Sequence, residues 1–238
     1  MKGHALKIVK VIWICLLSYS VWAQAKRDDS LHAPLFNNLG TYHHPVSTSV
    51  PLAQRFFDQG LILYYGFEWG ESIRSFKEAA RLDPMCSMCY WGIALALGSK
   101  INAPVSGNEY QEAKNAIEKA LSLKKYATPL ESAYINALAL RFQHKPNKVI
   151  PSANTFSCHI SNITSDKSSK QEIVNFANAL KQMTKNYPSD YDLKALYAYA
   201  LFDVNAWAFW GINGEIKPNT SDAIEALKSI LKNEPDHI

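Results

Sequence analysis

Two cysteines three residues apart, in Cys86-Ser87-Met88-Cys89, are the sharpest chemical feature of this sequence. They follow Pro84 at a predicted helix start, where backbone N–H groups stabilise a thiolate. Cysteines at this spacing share one helix face and lie close enough for a disulfide or for two ligands of a metal site. Tyr90 stands where a C-x-x-C-H haem motif needs histidine, which excludes covalent haem attachment. We expect structural thiols or a disulfide, with a metal site and thiol redox chemistry as alternatives.

A zinc site would need two ligands besides Cys86 and Cys89. Cys158-His159 is the sequence candidate, and it falls in a polar stretch that we expect to be a loop. His43-His44 are paired imidazoles, but no acid or thiol lies nearby at ligand spacing, so we expect a solvated loop there. The sequence therefore predicts no cofactor and no committed metal site.

Motifs for phosphate binding, dinucleotide binding, a nucleophilic serine and a metalloprotease zinc site are absent from the sequence. We therefore expect a protein that is not an enzyme. The chain has 25 Lys+Arg against 21 Asp+Glu, a net charge of +4. No cluster of basic residues suggests a nucleic-acid partner, because phosphate neutralisation needs clustered Lys and Arg.

The first 25 residues are typical of a secretory signal peptide, which is cleaved from the mature protein and does not belong to its fold. Lys2, Lys7 and Lys10 give a positive start, an apolar run covers 11–17, and Ala23-Gln24-Ala25 is a small-residue cleavage site. The apolar run is shorter than the roughly 20 residues that a membrane span needs. We expect an exported protein, periplasmic or secreted, with no membrane span after cleavage.

The stretch 53–98 predicts the helices that must position these residues, because small and apolar residues recur there at helical spacing. Gly60 and Ser72 are small and stand where two helices would cross closely. Steps of four and three residues place side chains on one helix face, and a proline five residues later ends the helix. This pattern occurs three times: Ser72, Phe76, Ala79 and Pro84; Phe176, Leu180, Met183 and Pro188; Ala223, Leu227, Ile230 and Pro235. A weaker copy, with Ala113, Ile117 and Ala120, has Lys125 in place of the proline.

Four helical hairpins follow from this repeat, at about 53–83, 87–123, 129–187 and 190–234. Each would bury its apolar face only by stacking on the next, which is typical of an all-α, α-solenoid fold. We expect an extended N-terminal segment over 26–51 and a helical repeat domain over 52–238. Insertions interrupt the repeat at 98–108, 144–169 and 204–217. Trp207 and Trp210 lie in the last insertion, where we expect them to cap the final hairpin, with an exposed aromatic contact as the alternative.

Several segments together resemble an exported branch of the tetratricopeptide-repeat (TPR) proteins, most of them uncharacterised and bacterial. The segments are FDQGL, YYGF, SIRSFKEAARLDP, CSMCYWGIALALG, LKALYAYAL, the Trp207–Trp210 stretch, KPNT and NEPDH. The resemblance covers most of residues 40–238 and implies a right-handed superhelix of helical hairpins with no catalytic residues. It also implies an inner groove, lined mainly by first helices, that docks a peptide or partner protein. Relatives usually continue with further repeats, so the chain resembles a C-terminally truncated or short member.

The groove residues expected on this basis lie on the first helices of the first two hairpins: Phe57, Asp58, Leu61, Tyr65, Trp91 and Leu95. Tyr and Trp make effective anchors in a groove because they bury much area with few rotatable bonds. The leading hypothesis is an exported TPR-type scaffold that binds a protein or peptide. The alternative is a metal- or thiol-redox-handling protein that uses Cys86 and Cys89.

Overall fold

The fold is helical throughout the part of the chain that the structure describes. The structure is a computed structural model, and it describes residues 32–98, 105–144, 167–235 and 237, with 167–169 described for the backbone only. Within these ranges there is no β-strand, and an isolated antiparallel bridge joins Trp210 and Ile216. The expected all-α class is confirmed for these residues. The predicted signal peptide, Cys158-His159 and parts of the first two insertions lie outside them.

Eight α-helices occupy the described ranges, and their bounds follow the predicted hairpins closely. Short 3₁₀ turns follow α4, at Lys124–Tyr126, and α5, at Leu140–Phe142. The helices are α1 Pro51–Tyr65, α2 Trp69–Leu82, α3 Ser87–Leu97, α4 Gly107–Ser122, α5 Pro129–Ala139, α6 Lys167–Asn186, α7 Tyr191–Val204 and α8 Pro218–Asn233.

Helices that are consecutive in the chain pack against each other. α1 packs on α2, α3 on α4, and α7 on α8, while α6 contacts both α7 and the Leu140–Phe142 turn. The first helices of neighbouring hairpins also touch, α1 with α3 and α3 with α5. The helices thus share one continuous apolar core.

The repeated positions form much of the core, because the apolar members of the pattern are buried in every copy except at Leu227, which is partly buried. Among them, Phe76, Ala113, Phe176, Leu180 and Ala223 have no exposed surface. Three helices, α2, α6 and α8, end two residues before the proline of their copy. α4, whose copy has Lys125 in place of proline, runs on into the 3₁₀ turn because no proline blocks it there.

The predicted close crossing of the first two helices is confirmed. Ser72 donates a hydrogen bond from Oγ to the backbone oxygen of Gly60 at 2.7 Å. The Phe76 ring of α2 lies over the Cα atoms of Gly60 and of Gly92 in α3, so that a Cβ on either glycine would collide with it. Because Gly60 and Gly92 have no side chain, the Phe76 ring of α2 can pack against both α1 and α3.

Residues 33–50, named the N-terminal segment below, contain no helix or strand and lead directly into α1. Pro34 and Phe36 contact Gln59, in the second half of α1, while His44 and Val46 contact Gln54 near its start. The segment therefore runs back along α1 in the opposite direction.

Candidate functional site

The residues predicted to line a groove are largely enclosed. Five of the six are buried and Tyr65 is half-buried; the buried ones are Phe57, Asp58, Leu61, Trp91 and Leu95. Trp91 packs against the Phe57 and Tyr134 rings and donates from Nε1 to the backbone oxygen of Tyr134 at 3.1 Å. These side chains act in packing, and Asp58 is the one that hydrogen-bonds to the N-terminal segment.

Two glutamines of α1 hold the main chain of the N-terminal segment in the same way. Gln59 donates from Nε2 to the Pro34 oxygen at 2.9 Å and accepts from the Phe36 N–H at 2.7 Å. Gln54 donates to the His44 oxygen at 2.7 Å and accepts from the Val46 N–H at 2.9 Å. Each side-chain amide thus pairs with the carbonyl of one residue and the N–H of the residue two places later, as a neighbouring β-strand would.

Asp58 adds a third anchor between the two glutamines. Its Oδ1 accepts from the His44 N–H at 3.0 Å and from Gln54 Nε2 at 2.8 Å, and its Oδ2 lies 2.8 Å from His43 Nδ1. The His43 side chain is 57% exposed, whereas that of His44 is 13% exposed. Our expectation of a solvated histidine pair is therefore wrong for His44, since a buried imidazole needs polar partners that the local sequence does not reveal.

Asp192, at the start of α7, joins three parts of the chain that are distant in sequence. Its Oδ2 lies 2.5 Å from His44 Nδ1, and its Oδ1 accepts from the Tyr42 hydroxyl at 2.5 Å and lies 3.0 Å from His237 Nε2. We call Tyr42, His44, Asp192 and His237 the Asp192 cluster. It ties the N-terminal segment to α7 and to the end of the described chain.

The electrostatics of the cluster favour a charged pair. Burial of Asp192 opposes its ionisation, but hydrogen bonds with His237, His44 and Tyr42 and the charge of His44 outweigh it, so the pKa of Asp192 lies well below its usual range. Burial likewise opposes a charge on His44, yet the hydrogen bond and negative charge of Asp192, with smaller contributions from Asp190 and Asp58, raise the pKa of His44. Burial, followed by Asp192, raises the pKa of Tyr42, which therefore stays a hydroxyl donor.

The remainder of the N-terminal segment is fixed by side chains of other elements. Glu131, in the first turn of α5, accepts from both the N–H and the hydroxyl of Ser47 at 2.6 Å. Thr48 donates from Oγ1 to Asp83, at the end of α2, also at 2.6 Å. The N-terminal segment is therefore bound along its length by groups of α1, α2, α5 and α7.

Sequence reasoning missed Gln54, Gln59 and Asp192, and a signal existed for the first two. Gln54 and Asp58 lie four residues apart on a face of α1 that is otherwise apolar, and Gln59 is next to Asp58. Polar side chains on a buried helix face need partners, so they mark a place where another segment must supply main-chain or polar groups. Asp192 lies two residues after Asp190, the N-cap of α7, and acidic residues are common in the first turn of a helix, so its type and position carry no signal for a distant contact.

Cys86 and Cys89 form a disulfide, in agreement with the leading expectation of structural thiols or a disulfide. Both residues have no exposed surface. Cys86 is also the N-cap of α3, because its Sγ accepts from the Cys89 N–H at 3.1 Å. Over the described residues no group of three or more His, Cys, Asp or Glu side chains is arranged to hold a metal ion.

The last insertion is exposed, so the expected capping of the final hairpin by its tryptophans is wrong, and their exposure agrees with the alternative of an exposed aromatic contact. Trp207 and Trp210 are each 55% exposed, and Ile212 is 99% exposed. The Phe209 ring meets the Phe202 ring of α7 edge-on, and the Phe209 backbone oxygen accepts from the Thr220 hydroxyl of α8. Phe209 therefore anchors the insertion, which leaves the tryptophans at the surface.

None of the helices in the described ranges is both long and apolar enough to pass through a bilayer. The chain matches no family model, no curated protein and no solved structure.

Proposed function

We propose that this protein is an exported helical-repeat scaffold of TPR type that binds an extended peptide along α1, and that its own N-terminal segment is the resident ligand. The observation that carries the proposal is the pair of glutamine contacts. Within that segment, the hydrogen-bond partners of Gln54 and Gln59 are all main-chain atoms. Main-chain recognition accepts many sequences in an extended conformation and is a common basis of peptide binding.

Two further features support a solenoid arrangement and export. The contacts of α1 with α3 and of α3 with α5 are those expected when first helices of stacked hairpins share an inner face. The disulfide between Cys86 and Cys89 is typical of an oxidising compartment, in agreement with the predicted signal peptide. Thiol redox chemistry at this pair has less support, because buried cysteines are poorly reactive.

The proposal is tested by adding the segment as a separate peptide to the full chain. A resident segment competes at high effective concentration, so the receiving protein carries Ser47→Ala and Thr48→Ala to weaken it. These changes remove the hydroxyl contacts to Glu131 and Asp83, while the Ser47 N–H contact to Glu131 remains. A fluorescent peptide of residues 33–50 is titrated with this variant and with the unaltered chain, and anisotropy is recorded. We expect saturable binding to the variant and at least about tenfold weaker binding to the unaltered chain.

Main-chain recognition is tested by methylating single peptide nitrogens. N-methylation at Val46 removes the donor that Gln54 accepts from, and we expect about tenfold weaker binding. The matched control is N-methylation at Asn38, a position that neither glutamine binds. The affinity of this peptide should stay within about twofold of that of the unmodified peptide. Absence of binding by the unmodified peptide to a folded receiving variant would disprove the proposed function.

A further inference from the structure

The side chain of His44 occupies a flat slot between two aromatic rings. The His44 ring centroid lies 5.9 Å from that of Phe57 at an interplanar angle of 35°, and 6.0 Å from that of Tyr134 at 89°. Tyr134 is held in place because its hydroxyl donates to Asp190 at 2.8 Å. A planar side chain fits this arrangement, since one ring lies obliquely beside it and the other meets it edge-on.

The far end of the slot is acidic. Asp192 of α7 contacts His44 Nδ1, Asp58 of α1 binds the His44 N–H, and Asp190 lies at the start of α7 behind Tyr134. His237, from the end of the described chain, is the positively ionisable neighbour on the other side of Asp192. Asp192 thus contacts both His44 and His237, Asp58 contacts His43 and the His44 N–H, and Asp190 accepts from the Tyr134 hydroxyl. A cationic side chain at the position of His44 suits these acidic surroundings.

Tyr42 and His44 lie two residues apart and reach the same carboxylate, whereas His43 between them is largely exposed. In an extended chain, alternate side chains point to the same side. Tyr42 and His44 are therefore bound together, at Asp192 and in the slot. The identity of the residue between them matters little.

We infer that this slot, lined by Phe57, Tyr134, Asp58 and Asp192, is a specificity pocket for a planar cationic side chain in an extended peptide, with tyrosine two residues before it. The ligand class is a peptide of the pattern Tyr-x-His from a partner protein, and residues 42–44 are its internal counterpart. This inference rests on the proposed function: the glutamines hold the ligand main chain, and the slot selects its sequence.

The test compares two changes that are chemically identical and one residue apart. Peptides of residues 33–50 carry either His44→Phe, which keeps a flat ring and removes the charge, or His43→Phe at the exposed position. The receiving protein is the full chain with His44→Ala, which empties its own slot. The Ser47→Ala, Thr48→Ala chain serves as a second receiver, with circular dichroism confirming that each is folded.

We expect His44→Phe to weaken peptide binding about tenfold or more, because the hydrogen bond to the partly buried Asp192 carboxylate is lost. His43→Phe should change affinity by less than about threefold, because an exposed ion pair contributes little. Binding of the unmodified peptide should also weaken as pH rises above about 6.5 and the imidazolium loses its proton, and the His44→Phe peptide should lack this dependence.

The outcomes separate this inference from the proposed function. Equal affinity of the two phenylalanine peptides, with the unmodified peptide binding well, would overturn the specificity pocket and leave main-chain recognition standing. Failure of every peptide to bind either folded receiver would overturn both. Concentration-dependent dimerisation of the unaltered chain, lost on His44→Phe in the protein, would place a second copy's segment in the slot and overturn the choice of a separate partner.

Discussion

At the scale of single residues, the packing of this protein depends most closely on the Phe76 ring. Phe76 has no exposed surface and contacts the Phe57 ring at a centroid distance of 5.4 Å. A Cβ on Gly60 would lie 2.7 Å from the ring, and one on Gly92 would lie closer still. Because packed interiors tolerate little added volume, these two glycines fix how near α1 and α3 can lie to α2.

Gly92→Ala should destabilise the protein by about 2 kcal/mol, because the added methyl group must displace a buried ring. The matched control is Gly70→Ala near the start of α2, where a Cβ would meet nothing within 4 Å. That change should leave stability unaltered or raise it by up to about 1 kcal/mol through helix propensity. Urea denaturation measures both, and equal effects of the two changes would refute the close packing.

A second residue-scale feature is the buried ion pair of Arg141 and Asp203. Their side chains are each 3% exposed, Nη2 lies 3.0 Å from Oδ2, and the guanidinium lies 5.3 Å from the centroid of the Phe176 ring. The pair joins the turn after α5 to α7. Removing one charge from such a pair leaves the other buried with poorer compensation.

Asp203→Asn should therefore lower the free energy of unfolding by about 3 kcal/mol. Glu112→Gln, which breaks the half-exposed pair of Glu112 with Lys77, is the control and should change stability by less than about 0.5 kcal/mol. Thermal unfolding of the two variants supplies the comparison. A loss for Asp203→Asn as small as the control's would show that the buried pair contributes nothing net.

At the scale of elements, the disulfide acts on the start of a single helix. Cys86 and Cys89 lie three residues apart within the first turn of α3, so the bond closes a very short loop and crosslinks no second helix. The stabilisation by a crosslink grows with the length of the loop that it closes. The cap hydrogen bond from the Cys89 N–H to Cys86 Sγ is a separate contribution at the same place.

Replacing both cysteines, Cys86→Ser with Cys89→Ala, should cost only about 2 kcal/mol and leave the helical signal intact, because serine keeps a capping oxygen. Cys86→Ala with Cys89→Ala removes the cap as well and should cost about 1 kcal/mol more. Circular dichroism during thermal unfolding distinguishes them. Global loss of helix in the serine variant would mean that the disulfide constrains far more than the start of α3.

Much of the element scale could be predicted from the sequence, since helix faces and ends depend on residues that are neighbours in the chain. The recurring apolar positions gave the buried faces, and Pro84, Pro188 and Pro235 gave three helix ends to within two residues. The exposure of Trp207 and Trp210 could not be predicted in this way, because it depends on Phe209 taking the contact with Phe202 of α7.

At the scale of the whole molecule, the Asp192 cluster connects the two ends of the described chain. Tyr42 and His44 precede the eight described helices, Asp192 lies in the first turn of the seventh, and His237 follows the eighth. A single carboxylate therefore holds contacts that span almost the full sequence. Its charge state, together with that of His44, should couple the N-terminal segment to the stability of the fold.

The stability of the protein should be highest between about pH 4 and pH 6.5. The raised pKa of His44 means that its contribution is fully present below the unfolded value near 6.5 and is lost as pH rises through the folded value. The lowered pKa of Asp192 means that its contribution is present above the unfolded value near 3.9 and is lost as pH falls through the folded value. Urea denaturation from about pH 3 to pH 9 measures the loss of stability on both limbs of this profile, the acidic and the alkaline.

Asp192→Asn should flatten both limbs of this profile, because it removes the charge that raises the pKa of His44 and the group whose own pKa is lowered. His43→Gln is the control at a neighbouring, largely exposed imidazole, and its profile should follow that of the unaltered chain. Parallel profiles for Asp192→Asn and the unaltered chain would show that the cluster does not link pH to stability.

The sequence by itself determined the helices, their buried faces and the small residues at the first crossing, because each of these depends on spacing along the chain. It also flagged His43-His44 and Cys86-Ser87-Met88-Cys89 as chemically notable. Only the tertiary structure decided that His44 meets Asp192, 148 residues away, and that Gln54 and Gln59 bind the main chain of the N-terminal segment. The reason is physical: local periodicity sets which face of a helix is buried, while a contact between distant side chains depends on how every intervening helix packs.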